Sequence, residues 1–275
     1  MNVWRLLPFQ QYSAFENMAI DEAIFRESQR IDTPPTFRLF GWSPPAVSIG
    51  FFQDFLSDID IEACRKDGVD VVRRTTGGKA VFHDLEITYS LTGREDNPFF
   101  PGTLLGRYHV ISEAIAAGLS TLGVQAELEK KNTKTSEELR EFCFYVPAQH
   151  ELLVKGKKIC GSAQARTNGA FLQHGSLLLD FDPAIAFELM TRDKRHKEEK
   201  IKKLSNSITS IHSESSTKTD LHEVCDALVM SFERKFGIKL EPGELTPEEK
   251  KLQDKLLNGK YLLDSWNQNG KSSVP

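Results

Sequence analysis

The sequence has only four cysteines, Cys64, Cys143, Cys160 and Cys225, and no two of them form a C-x-x-C pair. Their wide spacing excludes the common zinc-ligand patterns and a disulfide-dense secreted domain. The amino terminus has no cationic region leading into a long apolar one, so no signal peptide is expected. We therefore expect four reduced thiols in the cytoplasm and no metal site.

The sequence also lacks a run of about eighteen apolar residues, which a membrane helix would need. Its longest mainly apolar window, Ile111 to Val124, contains Glu113, so no membrane contact is expected. The 35 lysines and arginines are scattered and the net charge is -4, which disfavours nucleic acid as a partner. With 275 residues, 39% hydrophobic and 27% charged, the chain has the composition of a soluble globular protein.

Apolar periodicity predicts the main elements of the fold. Alternating residues predict strands over 36–42, 46–51, 71–74 and 87–91, and helical spacing predicts helices after Ser13 and over 107–122, 185–190 and 221–232. A three-strand meander is predicted between Leu152 and Leu179, with Asn168-Gly169 as a hairpin turn. This order predicts an α/β fold with a mixed, mainly antiparallel sheet and flanking helices.

The two ends of the chain are expected to differ in organisation. We predict one catalytic domain over residues 1–240 and a short helical extension over 241–275, with a helix opening at Thr246-Pro247. The last residues, 268–275, are expected to be frayed. The polar stretch 129–138 is predicted to be a loop.

The first candidate binding motif is the run Arg73-Arg74-Thr-Thr-Gly77-Gly78-Lys-Ala-Val-Phe-His83-Asp84. Two glycines after a strand allow backbone amides to approach a ligand, and the arginines supply fixed positive charge. The Gly-Lys-Ser/Thr ending of a Walker loop is missing. On spacing alone, the run fits a phosphate or carboxylate site and a tight turn with surface arginines equally well.

Residue by residue, this run resembles the catalytic domain of the biotin/lipoate protein ligase and octanoyltransferase superfamily, whose lipoyl branch carries Arg-Arg-x-x-Gly-Gly-x-x-Val-x-His-Asp. A second match is Lys158-Ile-Cys-Gly161-Ser162-Ala163, followed by His174-Gly175-Ser-Leu-Leu-Leu-Asp180, and the early Asn17-Met-Ala-Ile-Asp-Glu22 also fits. The resemblance implies a tunnel for a medium-length acyl chain, with Lys158 pointing at the acyl carbonyl. One wall would be formed by Arg74, Gly77, Gly78 and His83, and the opposite wall by Gly161, Ser162, Ala163 and His174.

The superfamily contains ligases, which activate free lipoate with ATP, and transferases, which pass octanoyl through an acyl-cysteine. Cys143, in Phe-Cys143-Phe-Tyr-Val-Pro147, resembles in its placement the nucleophile of the cysteine-dependent octanoyltransferases related to lipoate ligases. A thiolate attacks thioesters well, and the Lys158 ammonium would lower its pKa and relay a proton. Cys160 is interpreted as packing, because the family commonly carries a small apolar residue there. Cys64 and Cys225 fall on helical patterns and are expected in the core.

The resemblance thus implies an octanoyltransferase of lipoate biosynthesis that requires no ATP or other cofactor. Its donor would be octanoyl-acyl carrier protein, and its acceptor a lysine of a glycine cleavage carrier or a dehydrogenase lipoyl domain. An ATP-dependent lipoate ligase is the main alternative, although only thirty-five residues follow Leu240, fewer than the added domain of many ligases needs. A non-catalytic lipoyl-domain binding module is disfavoured because both Cys143 and Lys158 are present.

Overall fold

The computed structural model of the chain describes residues 2–30, 33–55, 59–100, 102–129, 151–216, 219–272 and 274. Its strands are β1 Asn2–Tyr12, β2 Thr36–Trp42, β3 Ala46–Ile49, β4 Asp70–Arg73, β5 Val81–His83, β6 Glu86–Arg94, β7 Glu127–Leu128, β8 Leu152–Val154, β9 Lys157–Thr167, β10 Ala170–Leu178 and β11 Ile238–Pro242. Its helices are α1 Ala14–Glu27, α2 Ile61–Lys66, α3 Leu104–Thr121, α4 Pro183–Met190, α5 Lys197–Ser207, α6 Ile211–Glu214, α7 Leu221–Phe236, α8 Pro247–Leu256 and α9 Asp264–Asn269, with a π-helix at Leu257–Tyr261.

Within these residues the strands form two sheets. The large sheet has the order β11-β1-β2-β6-β10-β9-β8-β7, and the small sheet has the order β4-β3-β5. In the large sheet β1 is parallel to both β2 and β11, and the other pairs are antiparallel. The predicted mixed, mainly antiparallel sheet with flanking helices is confirmed.

Local sequence signals explain where several elements begin and turn. Ser13 caps α1 through a capping box with Glu16. Asn168 and Gly169 have φ values of 48° and 75°, which is the left-handed geometry of the predicted two-residue hairpin turn. Strand β1 was not predicted from the sequence, because Pro8 interrupts its pattern. Pro8 lies at a register shift between Leu7 and Gln10, where a missing N–H is tolerated.

The large sheet is covered on both faces. Helices α3 and α7 pack on one face, where Phe37 of β2 stacks on Phe232 with ring centroids 4.1 Å apart. Helix α1 covers the other face, where Arg38, the next residue of β2, forms an ion pair with Asp21. Because side chains alternate along a strand, the same strands supply an apolar core on one face and polar groups on the other.

The carboxyl-terminal residues are tied to the rest of the fold. The predicted boundary after residue 240 falls inside β11, and the division into a domain and an extension stays a prediction. Lys260 and Tyr261 both bind the carboxylate of Glu22 on α1. The expected fraying of 268–275 is wrong for Val274, which is buried in the cluster around Trp266, because apolar contact outweighs the freedom of a chain end.

None of the helices in the described part of the chain combines the length and the apolar character that a membrane span requires.

Candidate active site

A cavity of about 220 Å³ lies between the large sheet and the small sheet. Sequence-predicted site residues from both motifs meet there: its lining includes Arg74, Gly78, His83, Lys158, Gly161, Ser162, Ala163 and His174. Gly77 precedes Gly78 in the same loop but is not among the lining residues. Cys143, the predicted nucleophile, lies outside the described residues, as do 130–138 of the predicted polar loop. The fold thus brings together two motifs that are about eighty residues apart in the sequence.

Arg74 organises the small-sheet side of the cavity. Its Nε donates to Thr76 Oγ1 at 3.1 Å, and its Nη1 donates to the carbonyl and the hydroxyl of Ser48 at 3.0 and 3.1 Å. Its Nη2 donates to the carbonyls of Gly77 and Lys79, both at 2.8 Å. All five guanidinium donors are therefore used inside the protein. Burial lowers the pKa of Arg74 to about 10.

The loop after β4 is held against Gly50. A Cβ on Gly50 would lie 2.0 Å from the carbonyl oxygen of Gly78. Gly78 itself has a φ of 96°, and a Cβ there would lie 2.8 Å from Arg74 Nη2. Only glycine fits at both positions, because one needs a close backbone approach and the other also needs a left-handed conformation.

Arg73, the other arginine of the motif, points away from Arg74's partners. Its Nη1 donates to the carbonyls of Gly50, Phe51 and Gln53, at 3.1, 2.9 and 2.7 Å. Its Nε and Nη2 donate to carbonyls of residues 266–268. Arg73 thus joins the loop after β3 to the carboxyl-terminal helix α9.

A chain of hydrogen bonds runs from Arg74 through His174 to α1. Thr76 Oγ1 is 2.7 Å from Nε2 of His174, and Nδ1 of His174 is 3.2 Å from Oδ2 of Asp21. Since Thr76 accepts from Arg74, its own hydrogen is available for Nε2, and Nδ1–H can donate to Asp21. Burial lowers the pKa of His174, although Asp21 opposes this, and the neutral ring fits these partners.

A second chain of the same kind runs through His83. Ser48 Oγ accepts from Arg74 and is 2.7 Å from Nε2 of His83, whose Nδ1 is 2.9 Å from Oε1 of Glu86. The ring of His83 stacks on Trp42 with centroids 4.0 Å apart. Burial acts to raise the pKa of Glu86, but His83 and two hydroxyls outweigh it, so the pKa is lowered.

Both histidines therefore connect a buried carboxylate to a hydroxyl that accepts from Arg74. Both nitrogens of each ring have protein partners. This arrangement suits the fixing of a wall better than proton exchange with a substrate. Both rings line the cavity, and their role in an acyl pocket stays a prediction.

The opposite wall is built from strands β9 and β10. Gly161 pairs with Ser176, Ser162 with Gly175, and Ala163 with His174. A Cβ on Gly175 would lie 2.5 Å from Ser162 Oγ and 2.6 Å from a carbon of the Tyr89 ring. Tyr89 Oη also lies 2.7 Å from Ser162 Oγ. Small residues in the Gly-Ser-Ala run leave the room that the cavity occupies.

Lys158 lies at the β9 side of the cavity beside Glu151. Its Nζ donates to Oε1 of Glu151 at 2.7 Å. The two side chains are only 4% and 11% exposed. A buried ammonium needs such a partner, because desolvation of an unpaired charge is costly.

The other described cysteines are buried thiols. Burial raises the pKa of Cys64, Cys160 and Cys225 to about 12 in each case. The interpretation of Cys160 as packing is confirmed by its place in the core cluster, and that of Cys64 and Cys225 by their burial. In the described part of the chain no group of His, Cys, Asp or Glu side chains is arranged to hold a metal ion.

Sequence reasoning did not assign several residues that hold the site together. They are Asp21, Ser48, Gly50, Thr76, Glu86 and Glu151. Asp21 lies within the early matched run Asn17-Met-Ala-Ile-Asp-Glu22, which was a usable signal. No sequence signal marked Ser48 and Gly50, since their importance comes from contacts with a loop almost thirty residues later.

The chain is similar to known proteins over most of its length. The family model of the lipoyl protein ligase A/B catalytic domain matches residues 13–233. An octanoyltransferase LipM from Kyrpidia tusciae is 40% identical over 272 residues, which are 97% of this chain and 99% of that protein. An octanoyltransferase LipM from Symbiobacterium thermophilum is 39% identical over 269 residues, which are 96% of this chain and 97% of that protein.

A solved structure has a similar fold. It belongs to a bi-partite lipoate protein ligase, studied with its E2 lipoyl domain, from Thermoplasma acidophilum. It superposes with a TM-score of 0.84 at 25% identity, covering 100% of both chains. Together these matches confirm the predicted fold and the predicted function, an octanoyltransferase of lipoate biosynthesis. The chain belongs to the lipoyl protein ligase A/B catalytic-domain family.

Proposed function

We propose that this enzyme takes octanoyl from octanoyl-acyl carrier protein, holds it as a thioester on Cys143 and passes it to a lysine of a lipoyl-accepting protein. The observation that carries the proposal is the buried ammonium of Lys158 in the lining of the cavity. The acyl chain would occupy the space between the Gly78 loop and the Gly161–Ala163 segment.

The reaction has two balanced steps. The Cys143 thiolate attacks the donor thioester, a new C–S bond forms, and the phosphopantetheine thiolate leaves and takes up a proton. The acceptor amine then attacks the acyl-cysteine, the C–N bond forms and the C–S bond breaks, and the sulfur of Cys143 takes up the proton that the nitrogen loses. Lys158 would stabilise the negative charge that develops on the carbonyl oxygen in each step.

The buried thiols support Cys143 as the nucleophile. A thiol whose pKa is about 12, as for Cys160, is almost wholly protonated at neutral pH and reacts slowly with thioesters. The same holds for Cys64 and Cys225. Three unpaired buried thiols also fit the expected cytoplasmic location.

One solved structure supports the proposed acceptor. The archaeal ligase named above was studied with its E2 lipoyl domain, and a dehydrogenase lipoyl domain is therefore one proposed acceptor. The glycine cleavage carrier is the other. Octanoyl-acyl carrier protein is the proposed donor because its thioester already carries the activation, so no ATP is needed.

The test is transfer from purified components without ATP or magnesium. Octanoyl-acyl carrier protein, the enzyme and a lipoyl domain are mixed, and the mass of the lipoyl domain is measured. We expect one octanoyl group to be added to the lipoyl domain. A parallel reaction contains free lipoate, ATP and magnesium. Modification only in that second reaction would contradict the proposal and favour a ligase.

A further inference from the structure

Glu151 is placed beside Lys158 by the geometry of one hairpin. Strands β8 and β9 are joined through Lys155 and Gly156, with φ values of 51° and 79°, and Leu153 pairs with Lys158. Glu151, just before β8, also lines the cavity. It is the one acidic side chain among the described lining residues.

Amide formation on a lysine needs a proton acceptor. A lysine ammonium has a pKa of about 10.4, so roughly one in 2,500 is neutral at pH 7. The ammonium has no lone pair with which to attack an acyl-cysteine. An enzyme that acylates lysine near neutral pH gains rate from a base within hydrogen-bond reach of the incoming nitrogen.

The arginine and the two histidines of the cavity are poorly suited to this task. The donors of Arg74 are all engaged with the protein, and an arginine does not act as a base at this pH. Both ring nitrogens of His83 and His174 are hydrogen-bonded within the protein. Glu151 already binds a primary ammonium, that of Lys158, at 2.7 Å.

We propose that Glu151 binds the ammonium of the acceptor lysine and removes one of its protons, an assignment that rests on the proposed transferase function. The first proton passes to the Glu151 carboxylate, and the neutral amine attacks the acyl-cysteine. The second proton goes to the leaving thiolate as the C–S bond breaks, and the third stays on the amide nitrogen. Glu151 then returns its proton to solvent. Lys158 remains the group that faces the acyl carbonyl.

Charged and titratable groups near Glu151 could affect the pH dependence of transfer if they changed charge in the tested range. They are Lys158 on β9, Cys160 on β9, Tyr108 on α3 and, across the cavity, Arg74, Lys79 and the two histidines. Burial, followed by the charge of Glu151, raises the pKa of Tyr108. Burial raises the pKa of Cys160 to about 12. Neither group changes its charge between pH 7 and pH 9.

The experiment isolates the second step. Octanoyl-enzyme is prepared from octanoyl-acyl carrier protein, and its single-turnover transfer to a lipoyl domain is measured at pH 7, 8 and 9 for wild type and Glu151→Gln. Without the carboxylate, the rate should follow the neutral fraction of the acceptor lysine. The ratio of wild-type to variant rate should therefore fall by about tenfold per pH unit.

Two further measurements separate proton removal from a structural role. Hydroxylamine is a neutral nucleophile at pH 7, so Glu151→Gln octanoyl-enzyme should react with it at a rate close to that of wild type. Glu151→Asp keeps a carboxylate, so it should be slower than wild type but share its pH dependence. The matched control is Glu214→Gln, which removes the carboxylate charge that pairs with the exposed Lys155 at 2.8 Å. It should change neither the pH dependence of transfer nor the hydroxylamine rate.

Each outcome decides for or against the inference. A wild-type to Glu151→Gln ratio that stays constant from pH 7 to pH 9, or an equal loss of the hydroxylamine reaction, would overturn the role of Glu151. If Glu151→Gln fails to accept octanoyl, the transfer rate of Glu151→Asp decides. A rate with the wild-type pH dependence supports the role of Glu151, and a different pH dependence overturns it. If the wild type forms no octanoyl-enzyme, the acyl-cysteine route fails instead, and the same rate ratio in overall transfer still tests Glu151.

Discussion

The two walls of the cavity are held in different ways. In the small-sheet wall, the carbonyls of Gly77 and Lys79 both accept from one side chain, Arg74, which two hydroxyls connect to His83 and His174. The large-sheet wall is set by continuous strand pairing between β9 and β10. One wall therefore depends on a few buried polar side chains, and the other depends on many backbone hydrogen bonds.

This difference has a physical consequence. A backbone ladder tolerates the loss of one side-chain hydrogen bond, because the remaining bonds keep the register. The loop after β4 has fewer backbone hydrogen bonds and depends more on one guanidinium, so the loss of an Arg74 donor leaves a carbonyl or hydroxyl without its partner. We therefore expect single substitutions to damage the small-sheet wall more than the large-sheet wall.

The largest contrast is expected between Gly50→Ala and Gly175→Ala. At Gly50 the new Cβ would lie 2.0 Å from the backbone oxygen of Gly78. At Gly175 the nearest backbone atom, the oxygen of Gly161, is 2.8 Å away, and the two closer atoms, at 2.5 and 2.6 Å, belong to the side chains of Ser162 and Tyr89. Side-chain atoms can shift more easily than a backbone, and the backbone overlap is smaller at Gly175 than at Gly50. We expect about 3–5 kcal/mol lost from the free energy of unfolding for Gly50→Ala and about 1–3 kcal/mol for Gly175→Ala.

Chemical denaturation of both variants measures this difference. Gly102→Ala is the control, because a Cβ there meets nothing within 4 Å and no left-handed φ is involved. Equal losses for Gly50→Ala and Gly175→Ala would show that the two walls are equally rigid.

An intermediate contrast is expected between Arg74→Lys and Ser162→Ala. Lysine has three donors on one nitrogen and cannot reach the five acceptor sites that Arg74 serves. We expect Arg74→Lys to lower the free energy of unfolding by about 2–4 kcal/mol. Ser162→Ala removes one hydrogen bond with Tyr89 and should cost about 0.5–1.5 kcal/mol. Thermal unfolding of the two variants checks the order, and a larger loss for Ser162→Ala would reverse the comparison.

The smallest expected effect is a dependence of the free energy of unfolding on pH, caused by His174. The pKa of its buried ring is lowered, so the unfolded chain takes up a proton near about pH 6.5 while the folded chain does not. The free energy of unfolding should therefore decrease as pH falls below about 6.5, until the folded pKa is reached. Replacement with Gln should flatten this part of the curve. An unchanged slope in His174→Gln would mean that another group causes it.

The elements that depend on local sequence patterns were predicted correctly. Strand β2 was predicted with its observed bounds, and Asn168-Gly169 specified its turn, because these features depend on neighbouring residues. Strand β1 escaped prediction because Pro8 breaks its pattern, and its pairing with β11 joins residues far apart in the chain.

Prediction of the site was limited in the same way, because only its local motifs could be identified from the sequence. The motif residues were identified because they resemble a family, and the structure brings both motifs to one cavity. The two chains through His83 and His174 were not predictable, because each joins residues from three or four separate elements. The pairing of Lys158 with Glu151 was also missed, since a glutamate seven residues away carries no signal of its own.

The most direct test of the account is the intact mass of the enzyme after incubation with octanoyl-acyl carrier protein. The account predicts one octanoyl adduct on the wild type and on Cys160→Ala, whose thiol is buried with a pKa of about 12, and no adduct on Cys143→Ala. An adduct that persists in Cys143→Ala, or that disappears in Cys160→Ala while the protein stays folded, would contradict the account.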